Sequence, residues 1–181
     1  MSVQDNLAVV KKYWNTAPVD VYAIARELGL ELNFIPLPQN VSGQIRRKDG
    51  GKFAIDVNSR HSTTRQRFTV AHELGHYIYH RELLGKGVGD TLAFRSEGTP
   101  LPNPHITVTH ERQANSFAAN LLMPNHLIEK LKAQGFTSPV QLAEQLGVSE
   151  EAMRIRLGLA PTRSLFDRED ENAVEVRRGV G

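Results

Sequence analysis

The stretch TVAHELGHYIYH, residues 69–80, contains an HExxH pattern at residues 72–76 and determines how the surrounding sequence is interpreted. Its apolar residues recur at helical spacing with no proline among them, which predicts one helix over about 64–84. On that helix His72 and His76 lie one turn apart on the same face. Two imidazoles at this spacing can converge on one tetrahedral metal ion.

Three further residues of the pattern have defined places on the predicted helix. Glu73 lies on one flank of the histidine face, where its carboxylate can act as general base toward an attacking water. Leu74 points to the opposite side, into the core. Gly75 lies on the other flank, where a missing side chain leaves room for close approach of another element. The pattern therefore predicts a hydrolytic metal site on a closely packed helix.

Two histidines need a third protein ligand before a catalytic zinc site is complete. We expect Glu111 to supply it, because Glu111 lies in the first turn of a second predicted helix whose alanines suit close packing against the first. Asn115, one turn further along, can accept the outer N–H of a ligand histidine. His80 lies two turns beyond His72, roughly 12 Å along the axis, so we expect it at the core edge or facing solvent and not on the metal.

Composition limits the kinds of site and partner. The 181 residues include no cysteine, which excludes disulfides and leaves histidine and carboxylate as the zinc ligands. Hydrophobic residues make up 40% and charged residues 23%, as in ordinary globular proteins. The formal net charge of +2 gives no electrostatic footprint for nucleic acid. Because no apolar run can span a bilayer and no signal peptide is evident, we expect a cytoplasmic protein without membrane contact.

Three strands are predicted ahead of the motif helix, after a helix over 19–28. The first covers about 31–37 and ends near Pro36. Residues 44–47 and 52–58 flank an Asp-Gly-Gly turn and form a predicted β-hairpin, because Asp-Gly supplies the positive φ angles of a tight turn. We expect one buried face on strand 52–58, and we expect its edge to bind substrate as an added strand.

The sequence after the motif contains further helical signals and one irregular stretch. Residues 85–108 are rich in glycine and proline, and a helix is predicted over about 109–123. Three short helices follow, the last two in a helix-turn-helix cadence over 141–157. We expect a zinc metallopeptidase core over residues 1–134, a helical subdomain packed on it over residues 135–160, and a flexible tail over residues 161–181.

The HExxH segment and ERQANSFAANLLMP, residues 111–124, together resemble the ImmA/IrrE family of zinc metallopeptidases. PVDVYAIARELGLEL (18–32) and LAEQLGVSEEAMRIRLGL (142–159) extend the similarity over most of residues 18–160. The resemblance implies an α+β fold, a gluzincin-like minimal domain with a small antiparallel sheet packed on helices. It also implies a small C-terminal helix-turn-helix-like subdomain.

The same resemblance implies an activity and a partner. His72, His76 and Glu111 would hold Zn²⁺, with Glu73 as the catalytic base and Asn115 behind a ligand histidine. The substrate would be a helix-turn-helix repressor or antitoxin encoded nearby, on a bacterial prophage or other mobile element, and its cleavage would be regulatory proteolysis.

Two other functions remain open from the sequence. One is a non-catalytic regulatory module with a structural zinc, although such closed sites usually have four protein ligands and only three are found. The other is a DNA-binding regulator of a mobile element or toxin–antitoxin system. Glu150 and Glu151 argue against direct nucleic-acid binding, because they begin the second helix, where base contacts normally occur.

Overall fold

Helices dominate the computed structural model, which describes residues 2–84 and 105–160. The predicted irregular segment is described only from His105 onward, and the predicted tail over 161–181 lies outside the described residues. Within the described ranges no helix has the length and apolar character needed to cross a membrane. The α-helices are α1 Val3–Tyr13, α2 Val21–Glu27, α3 Thr63–Tyr79, α4 Val108–Leu122, α5 Asn125–Ala133, α6 Pro139–Leu146 and α7 Glu150–Arg156.

A mixed three-stranded sheet in the described residues completes the predicted α+β fold, with strand order β1-β3-β2. The strands are β1 Glu31–Ile35, β2 Gly43–Arg47 and β3 Phe53–Asn58. The hairpin prediction is confirmed, since β2 and β3 are antiparallel and Gly50 and Gly51 both have φ of 76° in the turn. However, β1 runs parallel to β3, so the sheet is not antiparallel throughout. The predicted open edge on β3 is wrong, because β3 is the central strand.

Both faces of β3 are buried, whereas one buried face was expected. The reason lies in Asp56, which is only 3% exposed. Its carboxylate accepts hydrogen bonds from Asn33 and Gln44 at 2.9 Å and from Arg46 at 2.7 Å. Burial raises the pKa of Asp56, but these three donors outweigh burial and hold that pKa below its usual value. Asp56, on the face of β3 that was expected to be exposed, is thus covered by polar side chains of the neighbouring strands.

Helix α3 carries the HExxH pattern and lies at the centre of the domain, where residues 69–78 are buried without a break. Its N-cap is Ser62, whose hydroxyl accepts from the Arg65 N–H. The helix ends at Tyr79 and a 3₁₀ turn follows over Arg81–Leu83, so the helix is shorter than the predicted 64–84.

Arg67 joins α3 to the C-terminal helices. Arg67 is 8% exposed, and its guanidinium donates to three main-chain carbonyls, those of Val19 at 2.8 Å, Gly147 at 3.0 Å and Leu146 at 3.5 Å. Two of these carbonyls lie at the C-terminus of α6, where the helix dipole favours a cation. Leu146 and Met153 belong to the same apolar core as α3. A division of the chain at residue 134 stays a prediction.

Candidate metal centre

The structure brings His72, His76 and Glu111 together from two helices. The Nε2 atoms of the two histidines are 3.0 Å apart. Nε2 of His72 lies 3.3 Å from Glu111 Oε2, and Nε2 of His76 lies 3.2 Å from Glu111 Oε1. Both histidines are 2% exposed, and the Glu111 side chain is 14% exposed. These three residues form a buried group whose ligand atoms could hold one metal ion.

The spacing of the two imidazole nitrogens and the Glu111 carboxylate is compatible with a zinc ion. Bonds of 2.0–2.1 Å at tetrahedral angles place ligand atoms about 3.3 Å apart. The two Nε2 atoms are 3.0 Å apart, and each lies 3.2–3.3 Å from a different oxygen of Glu111, which is close to this distance. Burial raises the pKa of the Glu111 carboxyl, but the adjacent His72 and His76 outweigh burial and hold that pKa well below its usual value. The Glu111 carboxylate is therefore ionised at neutral pH.

Asn115 contacts the ring nitrogen of His72 that does not face Glu111. Its side-chain oxygen lies 3.0 Å from Nδ1 of His72. An amide oxygen accepts hydrogen bonds only, so Nδ1 carries the proton and Nε2 of the neutral ring keeps its lone pair. That lone pair points toward the Glu111 carboxylate. Two electron-rich atoms 3.3 Å apart repel each other, so a cation, either a proton on Nε2 or a metal ion, is needed between them.

Glu73 follows His72 directly and is 1% exposed. Consecutive residues lie about 100° apart around a helix, which puts Glu73 on the flank of the face formed by His72 and His76. Leu74 is fully buried on the opposite side, as predicted. A buried glutamate at this position of an HExxH helix is the arrangement that general-base catalysis needs.

Gly75 allows α4 to approach α3. A Cβ atom built on Gly75 would lie 3.0 Å from Cα of Ala114, 3.3 Å from the Ala114 carbonyl oxygen and 3.2 Å from Cδ1 of Phe117. Ala114 and Ala118 are both fully buried in this contact region. The helix that carries Glu111 is thus positioned by small residues on both sides, as the sequence predicts.

His80 was expected at the core edge or facing solvent, and the structure shows that it does not face solvent. It is 5% exposed, with Nδ1 at 3.1 Å from Nδ1 of His76 and Nε2 at 2.8 Å from Oε1 of Gln113. Its ring also packs on His110, with ring centroids 4.6 Å apart. Burial lowers the pKa of His80, and its neighbours do not reverse that direction. The spacing of His72, His76 and His80 at every fourth residue is the sequence signal that points to this contact.

Comparisons with known proteins agree with the observed fold. The sequence profile of the Peptidase_M78 family, the IrrE N-terminal-like domain, matches residues 25–158. Nine chains of solved structures are similar. One is a Mycobacterium tuberculosis transcriptional regulator, with a TM-score of 0.55 and 16% identity over 90% of this chain and 49% of that chain. The present chain thus spans about half the length of that protein, and the likeness is one of fold. A comparison with curated proteins finds no match.

Proposed function

The chain belongs to the Peptidase_M78 family, in agreement with its ImmA/IrrE resemblance, and we propose that it is a cytoplasmic zinc-dependent endopeptidase. The observation that carries the proposal is the convergence of His72, His76 and Glu111, with Glu73 beside them. Three protein ligands leave one position of a tetrahedral ion open for water or substrate, as in catalytic zinc sites.

Zinc is the metal that this ligand set fits best. Two neutral imidazoles and one carboxylate are ordinary zinc ligands, whereas calcium and magnesium prefer oxygen ligands alone. When bound, zinc would act as a Lewis acid that polarises the scissile carbonyl and lowers the pKa of water. The residues that would hold it are His72, His76 and Glu111.

Glu73 is the residue to which we assign proton transfer. Its carboxylate would accept a proton from the attacking water and then donate that proton to the leaving amine. Because Glu73 is 1% exposed, bulk water does not compete for the proton. Asn115 would hold the His72 ring in place through the 3.0 Å contact with Nδ1.

The proposed substrate is a helix-turn-helix transcriptional repressor or antitoxin encoded near the gene, and its cleavage would be regulatory proteolysis. Support comes from the family resemblance carried by residues 69–80 and 111–124. One similar solved structure is that of a Mycobacterium tuberculosis transcriptional regulator, which is consistent with a regulatory setting for this fold.

The test is cleavage of the product of a neighbouring repressor gene by the zinc-loaded protein. We expect Glu73→Gln to retain zinc and to lose activity by about 10²–10⁴-fold, because general-base catalysis contributes a factor of that size. Glu111→Ala should lose zinc in elemental analysis. Glu144→Gln is the matched control, since Glu144 is an exposed acid on α6 outside the site. Full activity of Glu73→Gln would remove this residue from the mechanism.

DNA binding by α6 and α7 is the alternative that the same protein preparation can test. Helix α7 has seven residues, and Glu150 and Glu151 form its acidic first turn. That charge opposes contact with phosphate, so we assign the two helices to packing on the core. A salt-dependent mobility shift of duplex DNA, together with no cleavage of the repressor, would reverse the assignment.

A further inference from the structure

The face of α3 that carries the two proposed ligand histidines continues for one more turn, to His80. Only the Nε2 atoms of His72 and His76 face Glu111, so His80 is outside the ligand group. Instead its Nδ1 lies 3.1 Å from Nδ1 of His76, on the side of that ring facing away from the ligand group. His80 is therefore placed to act on the metal through His76.

The chemistry of the contacts gives this row of hydrogen bonds one direction. Oε1 of Gln113 can only accept, so the proton on His80 lies at Nε2, 2.8 Å away. Nδ1 of a neutral His80 then has a lone pair, and it accepts the Nδ1–H of His76. With its proton held at Nδ1, His76 has a free Nε2 lone pair, the atom that faces Glu111 at 3.2 Å.

We propose that His80 is a positioning residue that fixes the Nδ1-protonated form of His76 and so presents its Nε2 to the metal. The inference rests on the proposed zinc site and deepens it. Each proposed ligand histidine then has its own acceptor at Nδ1, Asn115 for His72 and His80 for His76. Acceptors at this position typically change metal affinity by 10–100-fold when removed.

The His80 ring is itself held from two other sides. His110 packs on it at 4.6 Å between ring centroids and is fixed by a capping box, in which its Nδ1 accepts from the Thr107 N–H and its own N–H donates to Thr107 Oγ1. Gln113 lies on the exposed side of α4 and lines a groove of about 780 Å³ between α1 and α4. Because water from this groove can replace the Gln113 oxygen, variants of the buried His80 give the sharper test.

The experiment compares His80→Asn with His80→Leu, two side chains of nearly equal size. Asn places an oxygen where Nδ1 of His80 stands and can accept from His76, whereas Leu cannot. The zinc dissociation constant, measured by competition with a chromophoric chelator, should rise about 10–100-fold in His80→Leu and less than about tenfold in His80→Asn. Unchanged affinity in His80→Leu, or equal weakening in both variants, would overturn the inference.

A second measurement does not depend on the folding of any variant. In the zinc-loaded wild-type protein labelled with ¹⁵N-histidine, long-range ¹H–¹⁵N spectra should show His80 with its proton on Nε2 and none on Nδ1. A proton on Nδ1 of His80 would contradict the proposal. If His80→Leu weakens zinc binding as expected but the wild-type protein cleaves no repressor, only the proposed peptidase function is contradicted. If the wild-type protein cleaves the repressor but His80→Leu binds zinc with normal affinity, only the proposed role of His80 is contradicted.

Discussion

Gly75→Ala adds a single methyl group at the contact between the two helices that carry the proposed ligands. The new Cβ would lie 3.0 Å from Cα of Ala114 and 3.3 Å from its carbonyl oxygen. Both atoms belong to the backbone of α4, so no side-chain rotation can remove the contact. Phe117 Cδ1 at 3.2 Å is the one neighbour that can move by itself. The methyl group therefore pushes α4 away from α3.

Two opposing terms set the size of the effect on stability. Replacing glycine by alanine inside a helix stabilises it by about 1 kcal/mol. Inserting a methyl group into a well-packed core costs about 1–3 kcal/mol, and contact with backbone favours the upper part of that range. We expect the free energy of unfolding of Gly75→Ala, measured without metal in urea, to fall by about 1–2 kcal/mol as the difference of these two effects.

The effect on metal binding should be larger than the effect on stability suggests. Glu111 lies three residues before Ala114 on α4, so a displaced helix carries the carboxylate with it. Zinc sites need ligand distances within about 0.2 Å of their ideal values. A shift of a few tenths of an ångström thus weakens the Glu111 bond, and we expect zinc affinity to fall at least about tenfold.

Urea unfolding and chelator competition measure the two quantities on the same samples. Ser116→Ala is the matched control, because Ser116 is an exposed residue on the same helix α4, and its replacement changes helix propensity and removes one exposed hydrogen bond from Asn120. A Gly75→Ala protein that is about 1 kcal/mol more stable than wild type, with unchanged zinc affinity, would refute the packing argument.

Three further measurements test other parts of the structure. Arg67→Met should lower the free energy of unfolding by about 2–4 kcal/mol, because three buried carbonyls lose a charged donor; a loss below about 1 kcal/mol in urea would contradict this role. The lowered pKa of Asp56 means that its ionised form stabilises the fold above the unfolded pKa of about 3.9, and that this stability is lost as the pH falls through the folded pKa. Asp56→Asn should therefore flatten the acid limb of stability against pH, and an unchanged limb would show that Asp56 does not contribute. Zinc at about 1,000 times its dissociation constant should stabilise the wild-type protein by about 4 kcal/mol in a thermal melt and leave Glu111→Ala unaffected. Equal stabilisation of both proteins would argue against Glu111 as a metal ligand.

The proposed ligand set could be predicted because most of it depends on local geometry. His72 and His76 share one face because their spacing matches the helix period, and no proline interrupts that helix. The lack of cysteine leaves histidine and carboxylate as the possible zinc ligands. Predicting Glu111 as a ligand required a contact between two helices distant in sequence. The need for a third ligand and the small residues Gly75 and Ala114 nevertheless indicated this contact. These features are all visible in the amino-acid types themselves.

The sheet order could not be predicted in the same way, because strand pairing depends on contacts distant in sequence. The Asp-Gly-Gly turn signals a local hairpin, which the structure contains. Nothing in β1 indicates that it pairs with the far strand of that hairpin and runs parallel to it. The sequence predicts one exposed face on β3, because a charged residue such as Asp56 is rarely buried without partners. Its partners come from two neighbouring strands and are apparent only once the register is known.

The contacts of His80 with His76 and Gln113 could not be predicted, for a related reason. Its distance from His72 along the helix excludes a shared metal ion, and that inference holds because His80 is outside the ligand group. The distance between His72 and His80 does not exclude a contact of His80 with His76, which is only one turn away. The contact with Gln113 crosses from α3 to α4, so only the packing of the two helices reveals it.

Helix α3 connects these observations, because each of its sides is fixed by a different part of the chain. Arg67 binds the end of α6, Thr69 packs so closely on β2 that a Cβ on Gly43 would lie 2.5 Å from its methyl group, and Gly75 contacts α4. Only the last of these contacts also positions a proposed metal ligand from another element. Stability and zinc affinity should therefore fall together in Gly75→Ala, whereas Arg67→Met should lower stability and leave the zinc affinity of the folded protein unchanged. Loss of zinc affinity in folded Arg67→Met would mean that the C-terminal helices control the metal centre through α3.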